Sequence, residues 1–332
     1  MRAADLQGLC GAGPEIALAQ YKQYVLPTLL YGLEAIVLEE NNLNKLELYH
    51  RRNLRFIQHL PKSTATPAIY LLLGTLPIEA EIDLKILSLF NNIIRPNSDS
   101  PPALYIREII LRQLANLDDI SSGWTRHVTK ILAKYKLPTA YELITVPPKK
   151  TQLKQTIKKA ITKHWTEVLQ EEANTKISLH FLISISCTIG QIHPTWMHIN
   201  SDLDIKKATI KTQILTQRYP LATSPTAGQC NVACPLCKND AETTKHFLLL
   251  CPATNPDRIP YIAKILQYIK PLSLSIDPDN LTQLILDPSL SFEPDIMYEK
   301  LTRNLIFKIH HRRAIILGGG SAYKNLTRKI KR

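Results

Sequence analysis

Residues 41–60, "NNLNKLELYHRRNLRFIQHL", decide the class of fold. Wound at about 100° per residue, Leu43, Leu46, Tyr49, Leu54, Phe56, Ile57 and Leu60 share an arc of roughly 160°, and Arg51, Arg52 and Arg55 fall opposite. Asn41 or Asn42 supplies an N-cap, and Pro61 limits the far end because the residue before a proline is pushed out of helical geometry. The segment reads as an amphipathic helix with an apolar arc for a core and an arginine face left over.

The same signals continue on both sides. Upstream, "EIALAQYKQYVLPTLLYGLEAIVL" (15–38) is apolar almost throughout, and Pro27 followed by Gly32 predicts two helical pieces with a bend. Downstream, 63–94 carries two further helix starts. Thr66 caps one with Pro67 at its first position, and Thr75 or Leu76 precedes Pro77 in the other. Gly74 stands where a helix C-terminus takes a left-handed residue. The polar, proline-rich stretch 96–102 reads as a linker, dividing a helical domain over 1–95 from a helical middle domain over 103–225. Within the latter, 103–135 is helical with a break near 121–123. Residues 147–172 place Leu153, Ile157, Ile161, Trp165, Val168 and Leu169 on one face and Lys150, Lys154 and Lys158 on another. The apolar stretch 177–190 is too short to span a bilayer and reads as a buried helix or strand.

Charge narrows the class of partner. A chain of 332 residues with a formal net charge of +13 points to a polyanion, and six lysines with no acid between 149 and 163 fit a phosphate backbone. A solvated lysine face is the plain alternative. Residues 299–332 hold ten Lys or Arg against one acid, so +9 of the net charge lies there. Phe307, Ile309, Ile315, Ile316 and Leu317 predict a docked helix that "GGGS" (318–321) ends, with a cationic arm beyond it. Arg312 and Arg313 at the docked end, and Lys324, Arg328 and Lys329 in the arm, are candidate phosphate ligands. The N-terminus lacks the pattern of a secretory signal and no stretch reads as a membrane span, so the expected location is intracellular, nuclear or cytoplasmic.

In a reducing compartment, clustered cysteines read as metal ligands before disulfides. "CPLCKNDAETTKHFLLLC" (234–251) puts three of the chain's six cysteines and a histidine into eighteen residues, spaced Cys234-x2-Cys237-x8-His246-x4-Cys251. A Cys-x2-Cys turn can set two thiolates about 2.3 Å from one Zn²⁺, and the distant His and Cys complete a tetrahedron with no open position, so the expected role is structural. Asp240 is the expected cap of a short helix, with Glu242 in its first turn. Five residues of ideal helix rotate Cys251 about 140° away from His246, so the helix must unwind before Cys251, and Pro252 supplies the break. Cys230, four residues before Cys234, could substitute as a ligand but is expected to be a spectator, and Cys10 and Cys187 stand alone as expected buried apolar residues.

Two stretches together resemble a known family. "YVLPTLLYGLEAIVL" with "LNKLELYHRRNLRFIQHLPKSTATPAIYLLLGTLPIEAEIDLKIL" is similar to the thumb-like segment that follows the polymerase palm in non-LTR (LINE-type) retrotransposon reverse transcriptases. "RYPLATSPTAGQCNVACPLCKNDAETTKHFLLLCPA" (218–253) looks like the zinc-binding segment near the C-terminus of the same proteins, and the order agrees. The matches cover less than half of the chain. The family's catalytic aspartates belong to a palm motif upstream of the thumb-like segment, and the chain starts after it. Asp118 and Asp119 follow that region and lack the flanking aromatic. Asp295, Glu299 and Lys300 crowd too closely in sequence for a restriction-type endonuclease. The resemblance therefore implies RNA or DNA binding without catalysis. The expected fold is mainly α and multi-helical, with a small CCHC zinc knuckle over 226–262 inserted before a helical segment and basic tail over 263–332. A zinc-stabilised protein-interaction module is the rival reading, and a remnant open reading frame without selected function is the third.

Overall fold

The computed structural model describes residues 12–95, 101–115, 123–223, 233–274 and 276–318. Thirteen α-helices occur among them: α1 (Pro14–Gln20), α2 (Leu26–Leu29), α3 (Glu40–Ile57), α4 (Thr66–Leu73), α5 (Ile78–Ile93), α6 (Pro101–Ala115), α7 (Trp124–Lys134), α8 (Ala140–Thr145), α9 (Lys150–Asn174), α10 (Asp202–Leu215), α11 (Asn255–Ile269), α12 (Pro278–Leu286) and α13 (Ile296–Ile316). The described residues contain no strand, only an isolated antiparallel bridge between Ala233 and Ala241. The fold is mainly helical. No described helix is long and apolar enough to cross a membrane.

Helix contacts gather the chain into two units that do not follow sequence order. The larger comprises Met1–Leu18, Arg52–Gly74 and Gln170–Arg332, and the smaller comprises Ala19–Arg51 and Thr75–Leu169. Of the expected linker, 96–100 lie outside the described residues, and Pro101 already opens α6. The arm residues Lys324, Arg328 and Lys329, together with Asp118, Asp119, Cys10 and Cys230, also lie outside them.

In the smaller unit, α5 packs against α7, and α6, α7 and α8 pack against one another. α8 starts on a complete capping box, with Thr139 accepting from the Glu142 N–H and Glu142 accepting from the Thr139 N–H. Pro27 does not break its helix. A π-helical stretch, Tyr21–Val25, precedes it, and the Leu26 N–H reaches back to the Tyr21 carbonyl. The widened turn relieves the clash a proline ring makes with the carbonyl four residues before it. Gly32, at φ 78°, then turns the chain.

α3 is a helix as its periodicity requires, but its buried stripe is rotated. Leu54 and Ile57 are buried as expected, while Tyr49 and Phe56 are exposed and His50 and Asn53 are buried. Polar partners explain the shift. The Tyr21 hydroxyl lies 2.7 Å from His50 Nδ1, and His50 Nε2 lies 3.0 Å from the Leu76 carbonyl. An Nε2–H tautomer satisfies both contacts, the hydroxyl donating to Nδ1 and the ring donating to the carbonyl. Glu47 on the same helix accepts from the Ile78 N–H at 3.0 Å and so serves the start of α5, where Pro77 is the N-cap.

In the larger unit, α13 packs against α10 and α11. Lys211 of α10 is fully buried, its ammonium 2.9 Å from both Glu299 carboxylate oxygens and from the Thr302 hydroxyl. Gly74, left-handed at φ 58°, caps α4 as expected, and its carbonyl accepts from the Gly190 N–H at 2.8 Å. Backbone atoms of Gln191 occupy the place of any Cβ there, so only glycine fits. The stretch 177–190 is neither helix nor strand. It forms three-residue 3₁₀ turns at Ile177–Leu179 and Ser184–Ser186, with Leu179, Leu182 and Cys187 buried and Ile177 and Ile185 exposed. The Ser186 hydroxyl donates to the Ile183 carbonyl, a local bond that competes with regular structure.

His50 carries a pH dependence. Burial pulls its pKa down to about 4, the Leu76 hydrogen bond opposing and Lys22 adding. The unfolded ring, at about 6.5, binds a proton that the folded ring refuses, so this stabilisation is complete above pH 6.5 and is lost as pH falls toward 4. The loss amounts to about 3 kcal/mol. Urea unfolding in chelator at several pH values should show the native chain losing about 3 kcal/mol more than His50→Gln as pH falls, because buried His59 and His310, also lowered to about 4, act in both chains. Parallel profiles would mean that the ring does not govern it.

Candidate metal centre

The ligands come together through three local devices. Cys234 and Cys237 lie on a tight turn in which the Lys238 N–H bonds the Cys234 carbonyl at 2.8 Å. Lys238 is left-handed at φ 63°, and the Cys234 N–H closes onto the Asp240 carbonyl at 2.6 Å. The second device is a cap. The helix begins at Thr244, and Thr243 accepts the His246 N–H through its hydroxyl at 3.1 Å. The cap is therefore Thr243, and Asp240 stays in the preceding turn.

The third device answers the 140° mismatch between His246 and Cys251. His246–Leu250 is π-helical, the Cys251 N–H bonds the His246 carbonyl at 2.8 Å, and Cys251 is extended at φ −61°, ψ 118°. An i→i+5 turn advances roughly 82° per residue, so five residues return to within about 50° of the start. The helix does not simply unwind at Pro252; it widens first, and Cys251 leaves it on the His246 side.

The Cys234, Cys237 and Cys251 sulfurs and one His246 ring nitrogen all lie within 4.8 Å of one another. Cys234 Sγ is 3.8 Å from Cys251 Sγ, and Cys237 Sγ is 3.4 Å from His246 Nε2. Around one tetrahedral ion with metal–sulfur bonds of about 2.3 Å and metal–nitrogen bonds of about 2.0 Å, those edges are about 3.8 and 3.5 Å. His246 Nδ1 faces the Asp240 carboxylate at 3.8 Å, the side on which metal-bound histidines carry a carboxylate. Cys234, His246 and Cys251 are buried. Burial pushes the Cys251 thiol up to about 12, with the Ala253 N–H opposing. At Cys237 burial also pushes upward, but the Asn239 and Asp240 N–H groups and the neighbouring thiols outweigh it and hold the thiol below its ordinary value. The cluster can hold a tetrahedral cation, which would make all three thiols thiolates.

Glu242 is not a helix-terminus acid. It is fully buried, and its carboxylate receives Arg313 Nε at 2.8 Å, Arg313 Nη2 at 3.0 Å and the Ala222 N–H at 2.7 Å. Arg313 Nη2 also donates to the Pro220 carbonyl, and the guanidinium lies 5.7 Å from the Tyr219 ring centre. Arg313 is thus committed to the knuckle and is not available to phosphate. Its neighbour Arg312 is exposed, with Nε 3.7 Å from Asp257. His310 is buried against the Tyr219 hydroxyl at 2.8 Å.

The remaining basic candidates divide by exposure. Lys150, Lys154 and Lys158 are exposed on α9 while Leu153, Ile157, Ile161 and Leu169 are buried, as the periodicity requires. Arg52 is exposed, Arg55 is half-buried, and half-buried Arg51 has Nε 3.6 Å from Glu47. No protein-family model matches this chain, and neither a curated protein nor a solved structure matches it.

Removing one partner of a buried ion pair costs about 3–5 kcal/mol because the other charge is left without compensation. Glu242→Ala should destabilise the larger unit by that amount. Glu242→Gln combined with Arg313→Met should recover most of it. Chemical denaturation of the three chains decides this, and a Glu242→Ala loss under about 1 kcal/mol would remove the pair as a determinant.

Proposed function

We propose that the chain is a non-catalytic nucleic-acid-binding protein whose larger unit is held by a structural zinc ion. The observation that carries the binding half is the face of α9. Lys150, Lys154, Lys158 and Lys159 are exposed and make no ion pair among the described residues; Lys163, a turn further on, lies 4.0 Å from Glu167. Lys150, Lys154 and Lys158 rise about 6 Å per step along the helix axis, forming a row that a polyanion can follow. The resemblance to retrotransposon reverse transcriptases points to the same class of partner.

Zinc is the cation that suits three thiolates and an imidazole at tetrahedral spacing, and with four protein ligands it has no place for water or substrate. Three thiolates and a neutral histidine around Zn²⁺ leave one negative charge. Two buried arginines stand near it: Arg258 feels the charge of Cys251, and Arg313 that of Cys234. Metal analysis of purified protein should find about one zinc per chain, and Cys237→Ala should lose it. Full zinc occupancy in that variant would dismantle the centre as drawn.

Each phosphate contact contributes about −0.9 for duplex, or −0.7 for single strands, to the slope of log K against log salt. Lys150→Ala, Lys154→Ala and Lys158→Ala together should flatten that slope by roughly two units, and deletion of 322–332 should flatten it by several more. Titrations at several salt concentrations test both. Unchanged slopes would favour the protein-interaction reading, in which the lysines are merely solvated.

A further inference from the structure

Beside the lysine row, within the smaller unit, lies an open groove of about 300 Å³. Its floor is aliphatic, formed by Leu26 and Leu30 after the first π turn, Leu84 of α5 and Ile157 of α9. Lys22, Lys85 and Lys154 stand around it. Lys85 is occupied in part, its ammonium 3.4 Å from the Leu30 carbonyl and 3.9 Å from the Glu34 carboxylate. Lys22 and Lys154 make no ion pair among the described residues. The groove also holds Glu81, whose carboxyl is pushed up by burial while Lys22 and Lys158 hold it down. Burial likewise lowers Lys22, with Glu81 opposing and Lys158 adding. The charges of Lys22, Glu81 and Lys158 thus act on one another, so the groove and the α9 row share one electrostatic field.

A face that binds only phosphates needs no apolar floor. A duplex keeps its bases stacked inside and offers such a face its backbone, whereas an unpaired strand can turn a base out of the stack and lay it on an apolar surface. We propose that this groove receives a base of single-stranded nucleic acid, with Lys22 and Lys154 on the flanking phosphates, so that the chain prefers single strands to duplex. The proposal rests on the nucleic-acid reading and deepens it. The preference is diagnostic because counterion release by itself favours the duplex, which carries the denser charge. Any excess affinity for a single strand must come from contacts to the base.

The test compares oligo(dT) of about 20 nucleotides with a duplex of the same length, using the full chain in moderate salt. Two variants separate the contributions, each checked for unchanged thermal unfolding. Lys22→Ala with Lys154→Ala removes the flanking cations. Ser88→Leu narrows the groove from its half-buried lining position without adding an aromatic face or replacing a lysine. The native chain should bind oligo(dT) at least about tenfold more tightly than duplex. The lysine variant should weaken oligo(dT) binding by about tenfold, and Ser88→Leu should reduce the preference while leaving duplex affinity unchanged. Equal affinity for both nucleic acids, unaltered by Ser88→Leu, would overturn the groove assignment and leave the α9 face as the binding site. Absence of salt-dependent binding to either would overturn the nucleic-acid reading itself, and the groove assignment with it. A helical peptide bearing leucines and glutamates that shields Lys22 and Lys154 from an amine-modifying reagent, where oligo(dT) does not, would give the groove to a protein partner instead.

Discussion

A buried charge must find an opposite charge or strong hydrogen-bond partners, and that requirement fixes α13 in the larger unit. Glu299 near its start meets Lys211 of α10, the Arg303 guanidinium donates to the Met197 carbonyl, and Arg313 near its end meets Glu242. The five charged side chains are all buried. Sliding α13 by one turn, about 5.4 Å, would leave several charges without partners at once. Apolar packing alone tolerates rearrangement far better. The ion pairs therefore set the register of the helix, and burial of Tyr298, Leu305, Ile306 and Ile309 supplies the attraction.

Glu242 extends that constraint to the Cys/His cluster. It lies between Cys237 and His246, so the same short segment supplies two members of the cluster and the carboxylate that receives α13. The cluster and the helix register consequently reinforce each other. An ion held by these four side chains would keep 234–251 in shape, and that shape presents Glu242 to Arg313. The Ala222 N–H, bound to the same carboxylate, brings the chain before the knuckle into the arrangement.

The α9 stripe was legible in the sequence because it is a strict apolar repeat with no polar residue competing for the core. The cluster was legible because its residue types and spacing are those that a tetrahedral metal site requires. The rotation of α3 was not, because a histidine counts as polar until its partners are known, and Tyr21 and Leu76 are distant in sequence from His50. The fate of Arg313 was hidden for the same reason: "HHRR" reads as one basic cluster, yet a helix aims neighbouring side chains about 100° apart. His310 and Arg313 turn inward while His311 and Arg312 turn outward. Asp240 is the expected cap, but the helix starts only at Thr244, and the Thr243 hydroxyl takes the His246 N–H. The bridge between Ala233 and Ala241 keeps Asp240 in the turn, its carbonyl already accepting from Cys234.

The two π stretches show how one backbone device serves different ends. At Tyr21–Val25 it absorbs Pro27 and leads into the Leu26 and Leu30 wall of the groove. At His246–Leu250 it shortens the angular distance between two ligands by about 90° relative to an α-helix. Neither could be placed by counting hydrophobic residues, because a single widened turn leaves the average period almost unchanged. What marks them in the sequence is a local conflict. In the first stretch a proline occupies a helical interior. In the second, a ligand pair is spaced by five, a separation that an α-helix cannot bring to one side. An i→i+5 bond resolves each conflict: the first helix continues through Leu29, and the second ends at Leu250 with Cys251 leaving on the His246 side.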